Sequence, residues 1–421
     1  MNTIVKQISE RVNAAPPSMR LLDWLFGKEK QDVLAGMPVV LYGTGSLGKE
    51  LLLALQLKGI SPVCFCNSDS TKSGSLYCDL PIISLDELKA SHKNSIILIA
   101  TQSYAATVKK LLLDNGFMRE RVKWPKDFDA SSSLYFSLQT QMTIQGAVAG
   151  KSQDELVDIL VENQEMARSV YDTLADQKSK DVLIAKLTFL ICNDNISTFR
   201  DFMLTYSEPI CLFGLTPYSE NGPECYFYFT NDVYQIANDE VYVDVGAYDG
   251  DSVTAFSQAC DSQRIAYKNI YAFEPDPGNF VTLSENVCNL RNVSLNQLGV
   301  WSSSTELNFT SSNNTFLAAA SAIGIDGDIK IRTVSLDDFL GEEKVTLIKM
   351  DPPGNVIPEA LNGALRTISK WRPKLVLGAY HSFISVFEIP YLVNSMWPGY
   401  KFYLRHNSWG CNETDLYAIP A

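Results

Sequence analysis

The feature that most constrains this chain is the segment VYVDVGAYDGDS at residues 241–252. Apolar β-formers surround Asp244, and Gly246 and Gly250 then lead into a run that can start a helix with its N-cap at Asp251 or Ser252. This pattern predicts a buried strand, a tight turn and a helix. Glycines let the backbone pass close to a ligand, and a carboxylate at the strand end can accept hydrogen bonds. The turn therefore predicts a nucleoside site.

A second short apolar strand is predicted to end at Glu274, where Pro275 prevents its continuation. In a doubly wound sheet, the acid that ends the second strand faces the ribose of a nucleoside bound over the first. The turn itself lacks the G-x-G-x-x-G spacing and carries Asp249 and Asp251. Because acids repel a diphosphate but attract an ammonium and a sulfonium, these residues favour S-adenosylmethionine over NAD.

A series of short segments then follows through the C-terminal half of the chain. In order they are VYVDVGAYDGDS, YAFEPDP, LGVWSS, TVSLDDFL, LIKMD, the YH of GAYHS, and PGYKFYLRH followed by ETDLYAI. This series resembles the FkbM-type methyltransferases, over roughly residues 225–421. The resemblance implies a class I methyltransferase fold, S-adenosylmethionine as methyl donor, and a hydroxyl acceptor on a sugar, glycan or polyketide-like molecule.

The residues that end the strands are the candidates for the cofactor site, because ligands bind outside the carboxyl ends of parallel strands. We expect Asp244 and the glycine turn to hold the methionine part, Glu274 the ribose, and Asp276 and Gln297 the adenine. The predicted cofactor-binding set is Asp244, Gly246, Ala247, Asp249, Gly250, Glu274, Asp276 and Gln297.

Two further residues are candidates for the catalytic base. Asp351 ends the predicted strand VTLIKMD. His381 follows a different predicted strand, at residues 375–377, and the sequence Gly-Ala-Tyr. An attacking hydroxyl must lose its proton, and a neighbouring carboxylate or histidine can accept it. We therefore predict catalytic roles for Asp351 and His381. A purely structural role for His381 is the alternative.

The residues after Asp351 depart from the family pattern. Members usually continue as D-x-E-G-x-E, whereas this chain has Asp-Pro-Pro-Gly-Asn-Val, so that Pro353 and Val356 replace both glutamates. Three interpretations stay open: a changed acceptor, a loop that works differently, or a methyltransferase-like binding protein without turnover.

The N-terminal part carries a second α/β pattern. A strand precedes Gly43-x-Gly45-x-x-Gly48, and an apolar helix follows. This predicts a Rossmann-like domain with a candidate nucleotide site at the three glycines. They could equally serve only close packing of strand against helix. An NAD-dependent oxidoreductase is the weaker alternative, because Asn67 stands where the ribose-binding acid is expected.

The patterns divide the chain into four predicted segments. These are a helical leader (1–36), a Rossmann-like domain (37–130), a linker and helical connector (131–238) and an FkbM-like methyltransferase domain (239–421). The predicted fold class is α/β, with a class I methyltransferase sheet and a second Rossmann-like domain. The hydrophobic content of 46% in 421 residues is sufficient for two cores.

Composition narrows the expected partners. A net charge of −13 argues against nucleic acid, and nine cysteines without a C-x-x-C pair indicate a reducing compartment and no metal site. Glu10 and Arg11 interrupt the start where a signal peptide needs an apolar core, and no run reaches the ~20 apolar residues of a membrane span. We predict a cytoplasmic enzyme that acts on a small-molecule or carbohydrate acceptor, and a nucleotide-linked acceptor is one option. The sequence leaves the oligomeric state open.

Overall fold

The computed structural model describes residues 3–14, 36–45, 48, 51–52, 55–56, 60–100, 105–123, 148–192, 202, 228–229, 232–309, 329–352, 356–407 and 413–421. The chain divides into two compact units. The N-terminal unit comprises Ala15–Ile144 and Cys192–Asp201, and the C-terminal unit comprises Met1–Ala14, Gln145–Ile191 and Phe202–Ala421. The first helix, α1 (Thr3–Ala14), therefore belongs to the C-terminal unit.

The N-terminal unit contains a six-stranded sheet in the order β3-β4-β2-β1-β5-β6. Its elements are β1 (Val39–Tyr42), β2 (Cys64–Cys66), β3 (Leu76–Tyr77), β4 (Leu80–Ile83), α2 (Leu85–Ser91), β5 (Ile96–Ile99), α3 (Ala105–Asp114) and β6 (Val122–Lys123), with 3₁₀ turns at Ser70–Lys72 and Arg119–Arg121. Strands β1 and β5 are buried along their whole length, as expected of apolar strands in the middle of a parallel sheet. The strand order reverses between β1 and β5, where the glycine loop begins.

The C-terminal unit contains a seven-stranded sheet in the order β15-β16-β14-β13-β7-β8-β9. Its strands, with those of a small three-stranded sheet, are β7 (Val241–Val245), β8 (Asn269–Phe273), β9 (Val293–Asn296), β10 (Gly299–Val300), β11 (Glu306–Phe309), β12 (Ile329–Val334), β13 (Leu347–Met350), β14 (Lys374–Gly378), β15 (Tyr400–His406) and β16 (Thr414–Pro420). Only β16 runs antiparallel to its neighbours in the seven-stranded sheet. The order reverses between β7 and β13, which places the expected ligand crevice at their carboxyl ends.

Helices cover this sheet: α4 (Gln153–Glu162), α5 (Gln164–Thr173), α6 (Gln177–Ile191), α7 (Asp251–Gln263), α8 (Pro277–Asn286), α9 (Leu336–Leu340), α10 (Val356–Asn362), α11 (Leu365–Trp371) and α12 (Ser385–Met396). Helix α1 buries Ile4, Val5 and Ile8 and packs against α5 and α6. Helix α6 in turn packs against β15, where the Leu404 N–H donates to the Ser179 hydroxyl at 3.0 Å. The helical connector is thus an integral layer of the C-terminal unit.

An aromatic cluster fixes the segment before β7 against the sheet. Phe229 lies edge-on to Tyr242 at 5.5 Å and to Phe256 at 5.2 Å, and Tyr242 and Phe256 lie 4.6 Å apart. All three rings are buried. Because Phe229 is held in this cluster, the neighbouring Tyr228 is held beside the end of the sheet.

The predicted α/β fold class with two Rossmann-like sheets is confirmed. Within the described ranges, no helix is long and apolar enough to span a membrane. Parts of the predicted segments lie outside the described residues, among them 15–35 of the leader, 131–147 at the start of the linker and connector, and 310–328 and 353–355 of the methyltransferase segment. Strands β11 and β12 of the small sheet pair antiparallel.

Candidate active site

The glycine turn forms as predicted and lies against the end of β13. Gly246 and Gly250 have φ values of 79° and 90°, in the left-handed region that glycine tolerates best. A Cβ on Gly246 would lie 3.0 Å from the Asp351 carbonyl oxygen and from Pro352. The N-cap of α7 is Gly250, so the predicted N-cap at Asp251 or Ser252 was one or two residues late. The turn therefore brings the predicted cofactor residues next to Asp351.

Asp244 lies inside β7 and is fully buried. It accepts a hydrogen bond from the Ser252 hydroxyl at 2.6 Å and forms an ion pair with the Lys349 ammonium at 3.3 Å. Lys349 also contacts the Gly246 carbonyl oxygen at 3.4 Å. Asp244 thus holds the turn through Lys349 and Ser252, and its predicted contact with the methionine part stays a prediction.

Glu274 links the turns that follow β7 and β8. Its two carboxylate oxygens accept the Tyr248 N–H at 3.0 Å and the Asp276 N–H at 2.9 Å. Burial raises the pKa of this carboxyl to about 7, against the lowering effect of these hydrogen bonds. Glu274 is therefore a buried acid at the predicted ribose position, and it also fixes the backbone around it.

The predicted adenine neighbours have different surroundings. Asp276 is fully buried and caps α8 by accepting the N–H groups of Gly278 at 2.8 Å and Asn279 at 3.1 Å. Gln297 follows β9 and is exposed. The structure thus gives Asp276 a helix-capping role, while the adenine contacts of both residues stay predictions.

The two predicted catalytic residues are in direct contact. The His381 Nε2 atom lies 2.9 Å from one carboxylate oxygen of Asp351, and the Tyr380 hydroxyl donates to the other at 2.7 Å. The two side chains are only 8% and 12% exposed. Burial raises the pKa of Asp351, but His381, Lys349 and Tyr380 together lower it below its usual value. Asp351 is therefore an ionised partner that orients the His381 ring.

Gly378 makes this arrangement sterically possible. A Cβ at this position would lie 2.1 Å from the Asp351 carboxylate oxygen that contacts His381. Because β14 neighbours β13 in the sheet, the glycine lets the Asp351 side chain cross in front of the adjacent strand. The Gly-Ala-Tyr-His sequence thus contributes both the space and two of the partners for Asp351.

Several residues of the site had been assigned no role from the sequence. The hydroxyl groups of Tyr228 and Tyr380 both reach Glu413, the second over 3.1 Å, and both also reach Asp351. Asp415 lies nearby and is fully buried, with the Asn407 amide donating to it at 2.7 Å. Glu413 and Asp415 belong to the segment ETDLYAI, and Lys349 belongs to LIKMD. Membership in these family-like segments was the sequence signal that could have pointed to the three residues.

Three other polar residues near this unit's sheet lie in structural contacts. His406 is fully buried and shares a hydrogen bond of 2.9 Å with Thr414. Asp176 and Ser179, in the helical connector, both bind the buried guanidinium of Arg405, at 2.7 and 2.9 Å. These residues join α6 to β15.

The N-terminal glycine loop shows mainly packing. A Cβ on Gly43 would lie 2.6 Å from the Ala100 carbonyl oxygen, and one on Gly48 would lie 2.3 Å from that of Gly43. Gly45 has open space around it, and its carbonyl oxygen accepts the Tyr77 hydroxyl at 3.1 Å. Close packing therefore accounts for two of the three glycines, and the nucleotide site stays a prediction.

Comparison with known proteins agrees with this arrangement. Residues 244–397, from Asp244 in β7 to the end of α12, match the model of the methyltransferase FkbM domain. This part of the C-terminal unit is similar to the FkbM-type methyltransferases. The predicted resemblance to this family is therefore confirmed for the part of the chain that holds the turn, Glu274, Asp351 and His381.

Solved structures of other proteins match this chain to different extents. The crystal structure of methyltransferase FkbM from Methylobacillus flagellatus KT matches with a TM-score of 0.55 and 19% identity, covering 98% of this chain and 99% of that one. Fibrillarin from Aeropyrum pernix with bound S-adenosyl-L-methionine has a TM-score of 0.28 and 13% identity, covering 44% and 70%. A SAM-dependent methyltransferase from Aquifex aeolicus has a TM-score of 0.27 and 14% identity, covering 43% and 82%. A comparison with curated protein sequences gives no match. The FkbM structure supports the predicted class I methyltransferase fold.

Proposed function

We propose that this protein is an S-adenosylmethionine-dependent methyltransferase that methylates a hydroxyl of a sugar, glycan or polyketide-like acceptor. The observation that carries the proposal is the contact between His381 and Asp351 beside the glycine turn. Asp351 is ionised and accepts a hydrogen bond, so in the neutral form of the His381 ring the hydrogen lies on Nε2 and the lone pair on Nδ1. Nδ1 is buried and has no hydrogen-bond partner among the described residues. A buried nitrogen of this kind fits a general base.

The residues around the turn fit S-adenosylmethionine. The cofactor has a sulfonium and an ammonium, and acidic side chains line the turn at Asp249 and Asp251. Its ribose has a vicinal diol, and the Glu274 carboxylate, which accepts the Tyr248 and Asp276 N–H groups, is the kind of acceptor that a diol can donate to. Glu274 would therefore hold the ribose, and the turn would hold the methionine part.

The residues of the chain would handle the proton of the acceptor. The bound donor would supply an electrophilic methyl group on a sulfonium, which becomes a neutral thioether as the O–C bond forms. The hydroxyl proton would pass to Nδ1 of His381, and Asp351 would stabilise the imidazolium at Nε2. Tyr380, which donates to Asp351, would keep the carboxylate oriented during this transfer.

The charge of the site favours a neutral acceptor. Asp351 and Glu413 lie together, and Lys349, which feels the charge of both, is paired with Asp244. An acceptor with a phosphate or carboxylate near the reacting atom would meet repulsion, whereas hydroxyl groups can donate to these acids. Polyhydroxylated acceptors therefore match the site best.

The proposal is tested first by calorimetric titration of S-adenosylmethionine and S-adenosylhomocysteine into the full chain. Glu274→Gln should weaken binding at least tenfold, whereas the control Glu343→Gln, at an exposed ion pair with Lys268, should bind like wild type. His381→Asn should bind the cofactor normally but lose release of S-adenosylhomocysteine in the presence of sugar or polyol acceptors. Wild type that binds neither compound would refute the methyltransferase proposal. Binding without turnover on any acceptor would favour the non-catalytic binding protein.

A further inference from the structure

The conformation and surroundings of Glu413 distinguish it from the other acids of the C-terminal unit. Glu413 precedes β16 and has a φ of 57°, in the left-handed region that non-glycine residues rarely adopt. Such backbone strain clusters at functional sites, where surrounding contacts hold it in place. The contacts here are side-chain hydrogen bonds from Tyr228 and Tyr380.

The same two phenols connect Glu413 to Asp351. The Tyr380 hydroxyl lies 2.7 Å from Asp351 and 3.1 Å from Glu413, and the Tyr228 hydroxyl lies 3.4 Å from Asp351 while donating to Glu413. Burial, together with the neighbouring acids, raises the pKa of both phenols well above the usual value, so they stay protonated donors. The carboxyl groups of Asp351 and Glu413 are therefore bridged by the hydroxyl groups of Tyr228 and Tyr380.

Electrostatics then separates the two carboxyl groups. Asp351 has the His381 ring on its other oxygen, which favours its charged form, whereas Glu413 has no basic side chain bonded to it among the described residues. Burial raises the pKa of Glu413 to about 8, and the charge of Asp351 adds to this effect. Ionisable groups from several elements face Glu413. They are Lys349 on β13 and Asp351 after it, Tyr380 and His381 after β14, Tyr228 before β7, Asp251 at the start of α7, and Asp415 on β16.

We propose that Glu413 is a positioning residue that carries the proton of a two-carboxyl pair with Asp351, bridged by Tyr228 and Tyr380, and so controls the charge beside His381. This inference rests on the proposed role of His381 as base. With Glu413 neutral, Asp351 carries the single charge that orients the imidazole. When Glu413 ionises, a second negative charge lies near Asp351 and further stabilises the imidazolium.

Histidine NMR can test this without donor or acceptor, because the chain contains three histidines. The full-length protein would be labelled at histidine and titrated from about pH 5 to pH 9.5, with His381→Asn to assign the His381 resonance. The wild-type His381 resonance should show a separate step near pH 8, where Glu413 ionises. The step should disappear in Glu413→Gln, which keeps the size and removes the titrating group.

Tyr380→Phe removes one bridging hydroxyl and should move the midpoint of the step by several tenths of a pH unit. The control Glu388→Gln, on α12, should leave the step unchanged. A step that persists in Glu413→Gln, or no step in wild type, would overturn the proposal. If Glu413→Gln fails to fold, an unchanged midpoint in Tyr380→Phe would overturn it. Cofactor binding is measured separately, so a failure of the proposed function would leave this result interpretable.

Discussion

The ion pair of Lys349 and Asp244 allows a quantitative prediction about stability. The two charged atoms lie 3.3 Å apart, and the side chains are 4% and 0% exposed. At an effective dielectric constant of about 20, this distance corresponds to an attraction of about 5 kcal/mol, offset in part by desolvation. Lys349→Met keeps a long unbranched side chain, shorter by one atom, but leaves Asp244 buried without its cation. We expect a loss of about 3–5 kcal/mol in the free energy of unfolding, because an uncompensated buried charge costs this much.

Urea denaturation at pH 7, followed by circular dichroism and tryptophan fluorescence, would measure this loss. Lys268→Met is a matched control, because Lys268 pairs with Glu343 at the surface, where its side chain is 55% exposed. That change should have little effect on the free energy of unfolding, because solvent screens an exposed ion pair. The double variant Lys349→Met, Asp244→Asn should recover part of the loss, since the buried charge is gone. A cost for Lys349→Met as small as that of Lys268→Met would refute the reasoning.

Three further predictions follow from single contacts. Gly378→Ala should displace Asp351, because the added Cβ would lie 2.1 Å from its carboxylate, and should lower the free energy of unfolding by about 1–3 kcal/mol. The control Gly45→Ala adds the same methyl group where no atom lies within 4 Å, so thermal unfolding should show little change. Asp276→Ala should cost about 1–2 kcal/mol while Asp276→Asn keeps the cap of α8; equal losses would contradict the capping role. Folding raises the pKa of Glu274 from 4.5 to about 7, so the folded protein binds more protons there than the unfolded chain does. As the pH rises from 4.5 to 7.5, the free energy of unfolding of wild type should therefore fall by up to about 3 kcal/mol relative to Glu274→Gln, as measured in denaturant titrations.

The sequence predicted the positions of the site better than the partners within it. The strand ends at Glu274 and Asp351 and the position of His381 follow from local patterns, because apolar strands and turns are specified by adjacent residues. The bridge from Tyr228 to Glu413 joins residues far apart in the chain and depends on β16 lying beside β14, which no local pattern reports. Likewise, Lys349 occurs in an otherwise apolar strand, and only the structure shows that Asp244 is its partner. Asp276 shows the opposite difficulty, because a strand-end acid and a helix cap look the same in sequence.

The balance of buried charge leads to a last prediction, about binding. Lys349 faces Asp244, Asp351, Asp251 and Glu413, so one cation cannot offset all these acids. Burial, with a smaller effect of neighbouring acids, raises the pKa of Glu274 to about 7 and that of Glu413 to about 8, so both carboxyl groups hold protons near neutral pH. S-adenosylmethionine has a net positive charge, and a cation beside an acid lowers the pKa of that acid, so binding should release protons near pH 7.5. S-adenosylhomocysteine lacks the sulfonium and should release fewer. Calorimetry in phosphate and in Tris, whose ionisation enthalpies differ, measures the released protons. Glu413→Gln should reduce the release for S-adenosylmethionine, and equal release for both compounds in wild type would contradict the charge argument.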